Sequence, residues 1–294
     1  MNPETALTHS NDLILVTGAT GNVGREVVRE LEARGARIRL AGRSIEELRA
    51  VFGDRHELAR LEFGDSGTYD TAFTGVTKMF LMRPPQIADV EKRINPAIDA
   101  AVRCGVKHIA FLSLQGVERN PVVPHAKVEK HLMKIGVPYT MLRASFFMQN
   151  LTGPHRQDIR DMNEIIVPAG RGKTSFVDVR DIAAVAAMAL TEPGHEFKAY
   201  ELTGSEALDY YEAASVLSQV LGRKIEYRNP SLARFWRVRR SRGEAPMMIL
   251  IMSALYTVCR YGWAAGLTTE VRRLLGRDPI SFEQFARDNA AAWS

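Results

Sequence analysis

Cysteine is almost missing from this chain: Cys104 and Cys259 are the only two among 294 residues. They lie far apart, without a CxxC spacing or a nearby histidine cluster, which excludes a disulfide scaffold and a zinc module and leaves no metal site to expect. A reducing, cytoplasmic setting is the expectation. Long apolar runs are missing too. The longest, Met247 to Cys259, falls short of the roughly 20 residues of a spanning helix and is interrupted by Ser253 and Thr257. The opening MNPETALTHSND has no cationic stretch followed by an apolar one, so it reads as a short polar tail rather than a signal or transit peptide. There is no internal repeat, low-complexity tract or glycine-serine linker, which excludes a string of loosely tethered domains. What remains, 46% hydrophobic and 25% charged, is the composition of an ordinary globular protein, and a chain this long buries enough surface to fold without staples.

Acidic residues are outnumbered, 34 against 39 basic, for a formal charge of +5. Much of the excess sits in Arg234, Arg237, Arg239, Arg240 and Arg242. Such a run binds phosphates or forms a solvated helix face. No nucleic-acid-binding motif accompanies it, so nucleic acid is not the expected partner, and neither is a membrane.

From Leu13 to about Thr203, β-branched apolar runs alternate with amphipathic stretches, the pattern of stacked βαβ units on a parallel sheet. Strands are expected at Leu13 to Thr17, Arg37 to Ala41, Leu58 to Phe63, Thr77 to Met82, His108 to Ser113 and Tyr139 to Arg143. Short runs at Ile165 to Val167 and Ala199 to Leu202 are candidates to extend the sheet. A helix from about Asn22 to Arg34 shows one face of Val23, Val27, Val28 and Leu31, with Gly35 as its stop. After about Ser205 helical stretches dominate and strands are scarce. The fold class expected is α/β: a Rossmann doubly wound parallel sheet with a smaller, mainly helical C-terminal substrate lobe. The expected boundaries are 11–152 with 174–204 for the first domain, and 205–294 with 153–173 for the lobe.

The most specific signal is Leu13-Ile-Leu-Val-Thr-Gly-Ala-Thr-Gly-Asn-Val-Gly24, where Gly18, Gly21 and Gly24 close a strand and open a helix. A tight turn, close approach of a pyrophosphate and helix-on-strand packing each require a residue without Cβ. The N–H groups at the helix start then face the phosphates, which points to a dinucleotide. After the second strand comes Leu40-Ala-Gly-Arg43-Ser44. A carboxylate there would accept from a ribose 2′-hydroxyl, whereas Arg43 suits a 2′-phosphate, so NADP(H) is expected over NAD(H). Asp65, after the third strand, either meets the adenine or caps a helix. Arg83, in Met82-Arg-Pro-Pro85 after the fourth strand, is a candidate to approach the cofactor.

The combination of TGATGNVGR, GRS, Gly64-Asp65, His125-Ala-Lys-Val-Glu129 and Val137-Pro-Tyr-Thr-Met-Leu-Arg143 resembles the NmrA-like group of atypical short-chain dehydrogenases/reductases. Phe176-Val-Asp-Val-Arg-Asp-Ile182, Glu201-Leu-Thr-Gly204 and Gly276-Arg-Asp-Pro-Ile-Ser-Phe282 carry the likeness over most of the chain. The resemblance implies a Rossmann domain with a small substrate lobe, and either an NADPH-dependent reductase or a redox sensor that binds NADP(H) without turnover. It also implies that Gly18, Ala19, Thr20, Gly21, Asn22, Val23 and Gly24 hold phosphates together with Arg43 beside Ser44. Asp65 and Ser66 would lie near adenine, and Met82, Arg83 and Pro84 on the ribose and nicotinamide side. Phe147, within Ser145 to Asn150, would flank the nicotinamide.

Ordinary short-chain reductases pair a Tyr with a Lys four residues later, and none of the eight tyrosines here has one. His125 is the proton-donor candidate in its place, because imidazole titrates near neutrality and Glu129 follows one turn on. Its alternative role is a hydrogen bond to the helix start or the cofactor ribose. Ser113, at the end of the fifth strand, is the candidate contact for a substrate hydroxyl. Phe235, Trp236, Met247, Met248, Met252, Tyr256 and Trp263 are either core of the lobe or an adaptable pocket. The expected activity is hydride transfer from NADPH to a small hydrophobic acceptor: a quinone, imine or activated alkene. A non-catalytic NADP(H) sensor stands as the alternative, and a weaker third reading is an epimerase. Oligomeric state stays open.

Overall fold

Apolar runs bounded by polar turns become the strands of the structure, a computed structural model that describes residues 12–294. The expected N-terminal tail, and residue 11 at the expected domain edge, lie outside the described residues. The strands are β1 (Leu13–Thr17), β2 (Arg37–Gly42), β3 (Glu57–Arg60), β4 (Lys78–Met82), β5 (His108–Leu114), β6 (Tyr139–Ala144), β7 (Glu164–Ile166), β8 (Lys198–Leu202) and β9 (Glu226–Arg228). Seven of them form one sheet in the order β3-β2-β1-β4-β5-β6-β8, the doubly wound Rossmann arrangement that reverses direction between β1 and β4. Ladders from β3 to β5 are parallel, with Thr17 opposite Ala41, Val16 opposite Phe80 and Met82 opposite Leu112. Every residue of β1 is buried, as a parallel strand covered on both faces requires.

The helix Asn22–Ala33 buries Val23, Val27, Val28 and Leu31, the expected face, and Gly24 beside it. Removing those four side chains from water contributes about 6–12 kcal/mol gross. Gly35, at φ +68°, lets the chain leave. Strand β3 stops at Arg60, short of the expected Phe63, because the Phe63 carbonyl is taken by Arg93 Nε at 3.0 Å and Gly64 turns away at φ +95°. The run at 198–202 extends the main sheet as expected. The run at 164–166 does not: it pairs in parallel with β9, a three-residue strand the sequence pattern did not reveal.

By its contacts the chain divides into two units, one comprising the described part of Met1–Arg143 with Ala183–Tyr200, the other Ala144–Ile182 with Glu201–Ser294. The core of the first joins Leu15, Phe73, Leu81, Ile98, Phe111 and Leu132. The core of the second gathers Ile165, Leu217, Phe235, Tyr256, Phe282 and Trp293, so Phe235, Met252 and Tyr256 are core residues. Trp236, Met247 and Trp263 are exposed.

The arginine run splits in the second unit. Arg239 is 1% exposed and donates to Asp158 Oδ2 at 2.9 Å, Pro154 O at 2.9 Å and Glu244 Oε1 at 3.0 Å, and Arg242 also pairs with Asp158. Arg239 Nη2 reaches His155 Nδ1 at 2.5 Å, so that nitrogen accepts and His155 Nε2 donates to the Tyr256 hydroxyl. Two arginines of an apparently solvated run therefore neutralise a buried aspartate.

Candidate functional site

The site begins with Gly18, whose φ of +64° only glycine adopts freely and where a Cβ would overlap the Met82 methyl. Gly24 is needed for a different reason: a Cβ there would overlap Gly18 O and lie 2.8 Å from Ala19 Cα, prising the helix off the loop. Gly21 is constrained by neither. Its φ is −81°, and a Cβ would meet Gly18 O at 3.3 Å, a tight but open position. Between them Gly21 N donates to Gly18 O at 3.0 Å and Arg25 Nε holds Thr20 O at 2.9 Å, so the turn is formed by the chain itself. Gly21 caps the helix Asn22–Ala33 with no side-chain hydrogen bond and no acidic residue in the first turn. The first N–H groups, at Asn22, Val23 and Gly24, therefore point outward with the positive end of the helix dipole, an arrangement that suits an anion. Ala19 is buried, while Asn22 is exposed at the rim.

Strand order brings the loops after β2, β1, β4 and β5 side by side at one sheet edge. Arg43, one residue past β2, is exposed, and its guanidinium has no hydrogen bond or ion pair among the described residues. Ser44 is occupied as a helix cap: its Oγ accepts from Glu47 N at 3.1 Å and donates to Glu46 Oε2 at 2.8 Å. Asp65, with Ser66 exposed beside it, likewise uses Oδ1 to cap a short 3₁₀ turn through Gly67 N at 3.1 Å, the second of its two expected roles.

At the end of β1 a residue that motif reading did not single out ties the site to β4. Thr17 donates to Phe80 O at 3.1 Å and accepts from Met82 N at 2.9 Å, fixing Met82 over the glycine turn. A threonine at the end of a buried strand was the available signal. Arg83 folds back on its own loop, Nη1 donating to Pro84 O at 2.9 Å, Pro85 O at 3.2 Å and Ile87 O at 2.6 Å. Its buried Nε has no partner among the described residues.

His125 opens the helix Pro124–Ile135 with its ring 6.0 Å from that of Phe111 and no hydrogen bond among the described residues. Burial, and then the Arg83 charge, push it down to about 3. The expectation that it titrates near neutrality is thereby corrected: at pH 7 it is a neutral imidazole with one N–H to offer. Glu129 does not turn toward it either. Its carboxylate is buried, accepts from Ser113 Oγ at 2.6 Å, and takes Arg143 Nε at 3.0 Å and Nη2 at 2.7 Å. Ser113 is 1% exposed with its proton committed to Glu129, so the structure places it as a support of this pair and not at a substrate contact. Phe147 lies in the second unit, half-buried, where it caps the 3₁₀ turn Met148–Asn150 and bridges to Val177. Among the described residues no His, Cys, Asp and Glu group could hold a metal.

Known proteins agree with this geometry. The NmrA-like family model matches residues 10–246. An NAD(P)H azoreductase of Xenophilus azovorans is 33% identical over 287 residues, covering 96% of this chain and 99% of its own. Among solved structures, the NADPH-dependent quinone oxidoreductase QOR2 of Escherichia coli in complex with NADPH superposes with a TM-score of 0.84 at 26% identity, covering 94% of this chain and 99% of that one. The Citrobacter sp. triphenylmethane reductase in complex with NADP(H) gives 0.82 at 25% identity, with 94% and 99% covered. With a glycine turn, a Rossmann strand order and a family match over most of its length, the chain belongs to the NmrA-like family.

Proposed function

We propose that this protein is an NADPH-dependent oxidoreductase whose acceptor is a small hydrophobic molecule of the quinone, azo, imine or activated-alkene kind. The observation that carries the reading is the glycine cradle: an uncapped helix start behind a self-supporting turn, beside an arginine with no partner among the described residues. The residues fit a dinucleotide with a 2′-phosphate. Gly21 leaves space where a pyrophosphate would come close, Arg43 is uncommitted where the adenosine ribose is expected, and the orphaned Arg83 Nε offers a donor at the same edge. When bound, the cofactor supplies hydride from its nicotinamide. In this reading residues 18–24 and Arg43 bind its phosphates, and Met82 to Pro84 shape the ribose side. The first unit carries the dinucleotide and the second, with 205–294, selects the acceptor. The three relatives named above, which carry azo, quinone and triphenylmethane activities in their names, support the acceptor class.

Neutral His125 donates a hydrogen bond rather than a proton, and the electrophilic acceptors proposed require no tyrosine acid, since water can protonate the product. Binding titrations with NADPH, NADP⁺, NADH and NAD⁺, followed by NADPH oxidation with a quinone, an azo dye, an imine and an enone, test the reading. Tight NADP(H) binding with acceptor-dependent oxidation is expected; absence of dinucleotide binding overturns it. The missing Tyr–Lys pair and the neutral His125 favour a second reading, an NADP(H) sensor, which predicts discrimination between NADPH and NADP⁺ without turnover.

A further inference from the structure

The stretch from Leu232 to Trp263 holds six arginines, no lysine and a single acidic residue, Glu244, so it carries a charge equal to the +5 of the whole chain. Arg239 and Arg242 are taken up by buried Asp158. Arg234 and Arg237 on the helix Leu232–Ser241 are exposed and have no ion pair or side-chain hydrogen bond among the described residues.

The helix packed beside it, Pro246–Arg260, contains no acidic residue and only one basic residue, at its last position. It is apolar on both sides. Ile249, Met252, Tyr256 and Cys259 face the core, while Met247, Leu250 and Leu255 are exposed at 65%, 55% and 39%. At 100° per residue, positions 247, 250 and 254 form one stripe opposite the buried one. The stripe runs on into Tyr261 and Trp263, exposed at 66% and 74% with ring centroids 5.6 Å apart. A helix with two apolar faces is normally covered on both.

This turn is firmly built. Ala264 O accepts from Ser175 N at 2.8 Å and from Ser175 Oγ at 3.1 Å, and a Cβ at Gly172 would overlap the Cys259 carbonyl. The aromatic pair is therefore held out in water by a rigid base, at the cost of leaving apolar area wet.

We propose that this surface docks on the face of an anionic lipid bilayer, with the Met247, Leu250, Tyr261 and Trp263 side chains entering the interface and Arg234 and Arg237 pairing with lipid phosphates. The charge selects this occupant. Apolar residues and interfacial aromatics flanked by unpaired arginine are the composition of a helix that lies in the headgroup layer. A second copy of the chain fits poorly, because a two-fold contact over this surface brings like arginines together while Glu244 is already bound to Arg239. Nucleic acid leaves the apolar stripe wet. No described helix is long and apolar enough to cross the membrane, so the contact is peripheral.

The test is flotation of the purified full chain, without dinucleotide, on phosphatidylcholine vesicles with and without 30–40% (about one third) phosphatidylglycerol. Tryptophan fluorescence is followed on brominated lipid at the same time. Retention on anionic vesicles only, with quenching, is expected. Arg234→Gln with Arg237→Gln should weaken partition roughly thirtyfold, since each interfacial cation is worth about a factor of five. Leu250→Ser with Met247→Ser should weaken it at least tenfold. All four positions are exposed, and an unchanged thermal midpoint checks that the variants fold. Equal partition with neutral vesicles, or none with anionic ones, overturns the proposal. So does a dimer in solution that Leu250→Glu dissolves, which makes a second copy the occupant, or salt-sensitive DNA binding without vesicle retention.

Discussion

Three glycines spaced three residues apart do three different jobs, and substitution separates them. Gly24→Ala drives a methyl into Gly18 O and the Ala19 Cα, both backbone, so the helix must shift; the expected loss is about 1–3 kcal/mol, read as a lower urea midpoint. Gly21→Ala meets only a 3.3 Å contact at an ordinary φ and should leave the midpoint nearly unchanged, yet weaken NADPH at least tenfold if a pyrophosphate approaches there. Equal effects of both substitutions on stability would remove the assignment of Gly21 to ligand approach. Arg43→Ala tests the other end of the cofactor. With no partner among the described residues to lose, the variant should fold normally, bind NADPH roughly tenfold to a hundredfold more weakly, and bind NADH as before. Parallel losses for the two cofactors would show that the guanidinium does not read the 2′-phosphate. The glycines and Arg43 were legible because backbone geometry and ligand charge leave few residue types at those places. Thr17 was not, since its function depends on a partner strand 63 residues away.

At the scale of elements, the Glu129–Arg143 pair joins the helix Pro124–Ile135 to β6 and explains why two separated segments carried the family likeness together. Each looked like a local motif, and their contact is tertiary. Arg143→Met leaves a carboxylate 3% exposed without its bidentate partner, for a loss of about 3–5 kcal/mol. Adding Glu129→Leu should recover a good part of it, because the cost lies in the uncompensated charge; a double variant as unstable as the sum of the singles counts against the pairing. Strand positions were legible to within a few residues wherever an apolar run is covered on both faces. β7 and β9 escaped because three residues give periodicity too little to work on, and their pairing spans 59 residues of intervening chain whose contacts no local pattern encodes. The arginine run misled for a related reason: Arg239 and Arg242 look solvated until Asp158, more than 80 residues away, is folded beneath them.

At the scale of the whole molecule, three of the described histidines are held neutral by burial. His108 is pushed down to about 4 by burial, which outweighs the upward pull of Glu196, with smaller downward pushes from the Lys78 and His195 charges. His125 is pushed to about 3, and His155 well below its ordinary range by burial and by Arg239 and Arg242. The unfolded chain protonates all three near pH 6.5, while the folded chain resists until far lower, so the unfolded state binds more protons in that window and stability falls as pH falls. Between pH 6.5 and 5 the loss approaches about 2 kcal/mol per histidine, up to about 6 kcal/mol in all, which is comparable with the total stability of a domain. Urea midpoints should therefore drop steeply from pH 7 to pH 5, above the range where His125 and His108 themselves titrate in the fold. The residue contributing each share can be identified by replacing it with a neutral isostere. His155→Gln costs stability at pH 7 through the lost Tyr256 and Arg239 hydrogen bonds, but it should flatten the slope by about one third. A midpoint that holds level down to pH 5 would mean that these imidazoles accept protons in the folded state, and with that the neutral role assigned to His125 would fall.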